Sequence, residues 1–295
     1  MAVAPIMHNT SGSVESTAAK RPFRFRNRAL WIGGFIVGIV IFVALFAPWL
    51  CPYDPNGTDF SSTLQPPTWH HLFGTDQLGR DQLSRTMIGA RTSMEVSVGA
   101  LVVSLVIGVP IGLVSGYYRG IVDDWFIMRI IDALQAFPFL ILALVLAAML
   151  GPGARNSMIA IGIGFIPTFV RTVRGQVIAE LEKEYVVSAR AIGARDWRIM
   201  WDHILPNTVT PLIVQATMVM ASGIVAEASL SYLGLSVQPP VASWGTMLED
   251  AQGYMSMAPW LAVVPGVAIA IAVLGFNLLG DGLQRWFDPR SRTTS

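Results

Sequence analysis

Two carboxylates, Asp132 and Glu227, sit inside long, mainly apolar stretches. A carboxylate in mid-membrane costs about 2.5–3.5 kcal/mol on insertion scales, so such groups face the protein interior or a water-filled cavity. One reading puts them on a solute path, Glu227 toward the outer end of its segment. The other makes them hydrogen-bonded struts between helices, which is the preferred reading for Asp132, nearer the opposite end. His70 and His71 suggest metal binding, but adjacent histidines point apart on a helix and lack a third nearby ligand. No metal site is expected. Glu249 and Asp250 form an acidic pair that suits either a docking partner or a solvated surface. Cys51 stands alone, so no internal disulfide is possible, and the apolar run before it is too long and begins too late for a lipoprotein signal. The two lysines, Lys20 and Lys183, lie outside any GxxxxGK[ST] phosphate loop, so the chain is not expected to bind ATP by itself.

The polar-rich stretch "EYVVSARAIGARDWRIMWDHILPN", residues 184–207, lies between two apolar segments. Its composition and that of the residues just before it predict a helix over 176–192 that continues out of the preceding apolar segment. Gly193 is the natural break, and Asp196 is suited to cap a second, short helix. In that helix Trp197, Met200, Trp201 and Ile204 fall at i, i+3, i+4 and i+7, one apolar face, with Arg195, Arg198 and Asp202 off it. Pro206 is expected to end the helix, and Thr210-Pro211 to begin the next membrane span. Two turns of helix cannot stand alone in water, so something must cover the apolar face. Either it packs on the protein's own membrane end or lies among lipid headgroups, or another protein takes it into a groove. The residues leave both readings open.

The elements that must position these groups are membrane helices. Of 295 residues 53% are hydrophobic and 13% charged, about half the charge of a soluble domain. The mean hydropathy is +0.54. The net charge of +1 gives no reason to expect nucleic-acid binding. Six segments approach the roughly 20 apolar residues that cross a bilayer: 29–50, 95–118, 125–150, 158–175, 211–236 and 259–280. The first, "ALWIGGFIVGIVIFVALFAPWL", has no charge, whereas the fourth runs straight into basic residues. Cations set the orientation. With the N-terminus inside, the inner segments carry sixteen of the 20 Lys and Arg residues, leaving Arg80, Arg85, Arg91 and Arg155 outside. Both termini are therefore expected in the cytoplasm. The reading gives a disordered leader (1–28), a first span (29–50), an outer loop (51–94) whose 81–93 part forms a short helix beginning at Asp81, a five-helix core (95–280) with a cytoplasmic loop at 176–210, and a tail (281–295). Pro110, Pro138, Pro167 and Pro265 can kink their spans.

"ARAIGARDWRIMWDHILPN" resembles the cytoplasmic EAA loop of ABC-transporter permeases, in the form found in dipeptide/oligopeptide (and nickel) importers. Ala189, Gly193, Leu205 and Pro206 match the broad motif; Val187 and Ser188 replace its Glu and first Ala, and His203 stands at its Ile. "HLFGTDQLGRDQLSRTMIGARTSM", "MRIIDALQAFP", "EASLSYLGLSVQPPVASWGTML" and "LLGDGLQRWFDPR" resemble further segments of that family, in order, over about 70–290.

The resemblance implies an all-α polytopic protein like the permeases of type I ABC importers, a C-type subunit in the cell membrane that forms half of a translocation path and has no catalytic chemistry. It implies a homologous permease as heterodimer partner, two cytoplasmic ATPases that bind ATP and Mg2+, and an extracytoplasmic solute-binding protein. The second helix of the loop would seat on an ATPase, with Ala189, Gly193, Asp196, Trp197, Met200, Trp201, Leu205 and Pro206 as the coupling residues and Gly193 and Pro206 as stiff hinges. On the solute-path reading of the two carboxylates, and not from the resemblance, Glu227 would line the path or an outer gate and attract a peptide's amino terminus; the strut reading stays open beside it. Other solutes, nickel or a peptide-like compound, fit the same family. An ion-gradient-driven secondary transporter would need paired inner carboxylates or unwound helices in two related halves, and neither is evident.

Overall fold

The computed structural model describes residues 28–120 and 123–287. The leader expected at 1–28 and the tail at 281–295 therefore lie mostly outside the described residues. Among those described, all regular structure is helical apart from one isolated bridge between Thr75 and Asp81.

Helix α1 (Arg28–Leu50) matches the charge-free run. Helix α2 (Gln82–Tyr117) is longer than expected. Asp81 caps it, accepting from the Ser84 N–H at 2.8 Å, but the stretch after it continues into the span instead of forming a separate helix, and the preceding loop is only 51–81. The third segment is a broken span. Residues Asp123–Gln135, ending in α3 (Met128–Gln135), and α4 (Phe139–Leu150) meet at 93°. Pro138 supplies the break, because it donates no N–H and its ring obstructs a continuous helix.

Helix α5 (Ala154–Glu180) spans 27 residues, well past the expected 158–175. Its most apolar window has a mean hydropathy of only 1.3, yet 56% of that window is buried, the largest share among the long helices. A helix enclosed by protein has less need of lipophilic side chains than one facing lipid, which explains its weak sequence signal. Short α6 (Glu184–Ala191) and α7 (Asp196–Arg198) follow, then a wide π turn (Ile199–Ile204) that runs without interruption into α8 (Leu205–Tyr232). Helix α9 (Trp244–Ala251) and α10 (Trp260–Phe287) complete the chain. Among the described residues, five helices are long and apolar enough to cross a membrane, six counting the bent pair.

The central packing is α2 against α5. Gly108, Gly112 and Gly116 recur every fourth residue along α2, and a Cβ there would lie 2.9, 2.7 and 2.7 Å from the Cβ atoms of Phe169, Val173 and Val177. Helices in lipid gain from such close approach because dispersion contacts, and not water exclusion, hold them together. Helix α1 rides on α10, and α8 fills the space between the two pairs. Large apolar side chains remain exposed along α1 (Trp31, Phe35, Phe42, Leu45), α2 (Val102, Val106) and α4 (Ile141, Val145). An exposed apolar band of this extent belongs in a bilayer or against other membrane helices.

Candidate functional site

The segment from Leu181 to Ile204 forms an elbow at one end of the bundle. It departs from the predicted helix over 176–192 because α5 stops at Glu180. The buried Glu180 carboxylate accepts from Lys183 Nζ at 2.6 Å and from the Tyr185 hydroxyl at 2.5 Å, and both are met only if the chain turns at 181–183. Burial, then this bond to Glu180, push the Tyr185 phenol up to about 12. Gly193 breaks the chain as expected, at φ +80°. Its N–H bonds to the Arg190 carbonyl and the Ala194 N–H to the Ala189 carbonyl, both 3.0 Å, the paired bonds that close a helix end through a left-handed residue.

Asp196 does not cap the second helix. Arg195 occupies that position without a side-chain bond, and the Asp196 carboxylate accepts instead from the Tyr117 hydroxyl at 2.6 Å and the Tyr118 hydroxyl at 3.4 Å. The Arg190 guanidinium lies 5.2 Å above the Tyr117 ring, so both arms of the elbow are tied to the end of α2. Nor does Pro206 end the helix. The π turn carries the Leu205 N–H to the Met200 carbonyl, five residues back. Such a wide turn lets the helix pass a residue that has no N–H and crowds the carbonyl four positions earlier.

The expected apolar face is split. Ile199, Met200 and Ile204 are buried, as are Val186 and Ala189, in a core shared with Val173 and Val177 for all but Met200. Trp197 is 65% exposed and Ile192 86%. Trp201 is half-buried, its ring 5.1 Å from that of Trp197. Leu205 is half-buried and Pro206 exposed. The first reading holds for one set of residues, which packs on the protein's own membrane end, and another set is left uncovered.

The intramembrane carboxylates differ. Asp132 pairs with Arg171 at 2.5 Å, bridging α3 and α5. Glu227 is fully buried. It accepts from Ser231 Oγ at 2.6 Å, and Ser243, the residue capping α9, donates to Ser231 Oγ at 3.2 Å. Glu227 thus joins α8 to α9 and has no open surface. Sequence reasoning missed a further buried carboxylate, Asp123, which bonds Arg174 at 2.6 Å and Ser115.

It also missed a charged knot at the opposite end. Arg80 bonds Asp76 at 2.5 Å and Asp250 at 3.2 Å, and Arg85 reaches Asp250 at 3.4 Å. His71 Nδ1 meets Asp81 at 2.9 Å. Trp260 Nε1 donates to the Thr75 carbonyl at 3.3 Å. The loop 51–81 is thereby fastened to α9 and α10. Asp250 is committed to two arginines, while Glu249 is exposed. The spacing of acids and bases in "TDQLGRDQLSR" held the signal.

An apolar helical bundle with exposed greasy faces, an elbow at one end and a charged cap at the other is a membrane-embedded protein. The chain belongs to the family of binding-protein-dependent transport system inner membrane components, whose profile matches residues 108–293. The N-terminal transmembrane domain of oligopeptide transport permease C matches 23–67. The di/tripeptide transport system permease protein DppC of Pseudomonas aeruginosa (strain UCBPP-PA14) is 40% identical over 301 residues, covering 98% of this chain and 99% of that protein. The glutathione transport system permease protein GsiD of Escherichia coli O6:K15:H31 (strain 536 / UPEC) is 44% identical over 271 residues, covering 92% and 89%. Among solved structures, an inward-facing MetNI methionine ABC transporter has a chain that superposes with a TM-score of 0.57 at 18% identity, covering 67% of this chain and 93% of that one. That likeness speaks for the fold.

Proposed function

We propose that the chain is a pore-forming subunit of an ATP-driven importer of short peptides, with the elbow as its joint to a cytoplasmic ATPase. The peptide class rests on what the relatives DppC and GsiD are named for. The distribution of Lys and Arg supports an inner-membrane subunit with both termini and the elbow in the cytoplasm. The charged cap then faces outward, toward a solute-binding protein. A homologous permease completes the pore. Two ATPases hold ATP and Mg2+ and carry out hydrolysis, and the residues of this chain transmit the motion.

The observation that carries this reading is the division of labour in the elbow. Buried Ile199, Met200 and Ile204 anchor it to the bundle, the Tyr117–Asp196 bond fixes its angle, and exposed Ile192 and Trp197 offer apolar surface to a partner. When the ATPases close on ATP, a force applied at Trp197 reaches α8 directly, because residues Asp196–Tyr232 are one unbroken helix. The test is reconstitution of the assembled transporter in vesicles with Trp197→Glu and Trp201→Glu together. The expected outcome is continued ATP hydrolysis with loss of trialanine uptake. Uptake at the unmodified rate would refute the assignment.

A further inference from the structure

Helix α8 presents Gln215, Met218, Ser222 and Val225 along one stripe, and α10 presents Asn277 and Gln284 beside it. Gln215 and Gln284, with Thr172 and Thr210, line an open groove of about 410 Å3. Ser222 and Asn277, with Phe139, line a second of about 250 Å3. Gln215 is half-buried, and Ser222, Asn277 and Gln284 are exposed. No described residue hydrogen-bonds any of these four side chains. Seven residues separate Gln215 from Ser222, and seven separate Asn277 from Gln284, which is two turns or about 10 Å on each helix. The antiparallel helices therefore set up two polar rungs, Gln215 with Gln284 and Ser222 with Asn277.

Hydrocarbon cannot satisfy such groups, so Gln215, Ser222 and Asn277, which lie within apolar segments, face protein or a water-filled cavity, and Gln284 stands at the mouth of the same groove. Glu227 is not part of this stripe, since it lies about 140° around the helix from Ser222. We infer that the α8–α10 stripe lines the solute path and binds the peptide backbone through the side-chain amides of Gln215, Asn277 and Gln284. This rests on the peptide-importer reading and names the groups that would contact the solute. A side-chain amide offers a donor and an acceptor, the same pair a peptide group offers, so the two can bond reciprocally whatever side chains the solute carries. An extended chain covers about 3.3 Å per residue, so the rungs are one tripeptide apart. Exposed Asp281, four residues past Asn277 on the same face of α10, places one carboxylate between the two rungs.

The test uses the assembled transporter in membranes with Cys51→Ser as background. Gln215→Cys, Ser222→Cys and Asn277→Cys are each treated with a charged, membrane-impermeant thiol reagent, and Phe35→Cys, on the exposed face of α1, serves as the lipid-facing control. The expected result is labelling at the three stripe positions and none at 35, with trialanine slowing labelling at 215 and 277 at least threefold during ATP turnover. Absence of labelling at 215 and 277, with and without ATP, would overturn the path assignment. Labelling slowed by a different transported solute and not by trialanine would uphold the path and overturn the peptide reading. Labelling slowed by no solute would overturn recognition by these residues. As a second readout, Asn277→Leu should raise the half-saturating trialanine concentration at least fivefold at equal membrane abundance, while Asn277→Gln keeps it within twofold. Equal values for both variants would remove Asn277 from recognition.

Discussion

Trp197 and Met200 lie three residues apart, and truncating them should cause opposite failures. Trp197 is 65% exposed, Met200 4%. A tryptophan side chain carries up to about 250 Å2, so the free part of Trp197 is about 160 Å2, and covering it at about 25 cal/mol per Å2 is worth at most about 4 kcal/mol. Interface tryptophans of this kind typically lose about 2–4 kcal/mol on truncation, which is a factor of about 30 to 1,000 in association. Trp197→Ala is therefore expected to weaken capture of the ATPase by the permease by that factor while leaving the permease's own thermal stability nearly unchanged. Met200→Ala removes side-chain volume from a packed site and should cost the permease about 2–5 kcal/mol. Its effect on ATPase capture follows only from the loosened elbow. The assay is ATPase binding to nanodisc-embedded permease, run beside thermal unfolding of the same samples. If Trp197→Ala leaves binding within twofold, or lowers the unfolding temperature as far as Met200→Ala does, the separation of anchor from contact surface is wrong.

Gly112→Val should prevent α2 and α5 from meeting, because a Cβ at 112 would lie 2.7 Å from the Val173 Cβ; the expected cost of at least about 1–3 kcal/mol would appear as loss of folded protein on detergent extraction. Asp250→Ala leaves Arg80 and Arg85 to share Asp76 and should weaken the charged cap by about 1–3 kcal/mol, read as faster proteolysis of loop 51–81 with ATPase binding intact. Tyr185 donates to Glu180 only while neutral, and its folded value of about 12 exceeds the ordinary tyrosine value. Its contribution is therefore complete below about pH 10 and is lost as pH rises from about 10 toward 12. Protection from hydrogen exchange across 181–207, taken relative to the intrinsic rate at each pH, should fall over that window in the parent protein, and Tyr185→Phe should remove that fall.

Most of the helical plan was legible in the sequence because lipid imposes a simple rule on length and hydropathy, and α1 obeys it without exception. The rule fails where protein replaces lipid. Helix α5 is more than half buried, and its Arg171 and Arg174, paired with Asp132 and Asp123, made its membrane span look short. The first turns of α2 were legible as a helix from Asp81 but were read as separate from the span, since Arg85 carries a charge that Asp76 and Asp250 neutralise inside the cap. In the elbow, Gly193 was readable because a left-handed residue is a local need. Asp196 was misread because its partners, Tyr117 and Tyr118, lie 79 and 78 residues away. Pro206 was taken as a stop, and a π turn, which has no reliable sequence signature, carries the helix past it. The division of the Trp197–Ile204 face into covered and uncovered parts depends on where α2 and α5 end, which periodicity alone does not specify. The family resemblance located the elbow; its internal geometry came from tertiary contacts.

The central claim is that Trp197 touches an ATPase from the cytoplasmic side while the transporter turns over. A photo-crosslinking amino acid placed at position 197, activated in inside-out vesicles during ATP hydrolysis and followed by peptide mass spectrometry, tests it most directly. The account requires crosslinks to the nucleotide-binding subunit, in yield that changes between nucleotide-free and ATP-bound states. Crosslinks confined to lipid or to this chain itself, or labelling of position 197 by impermeant reagents only from the opposite face of the membrane, would contradict it.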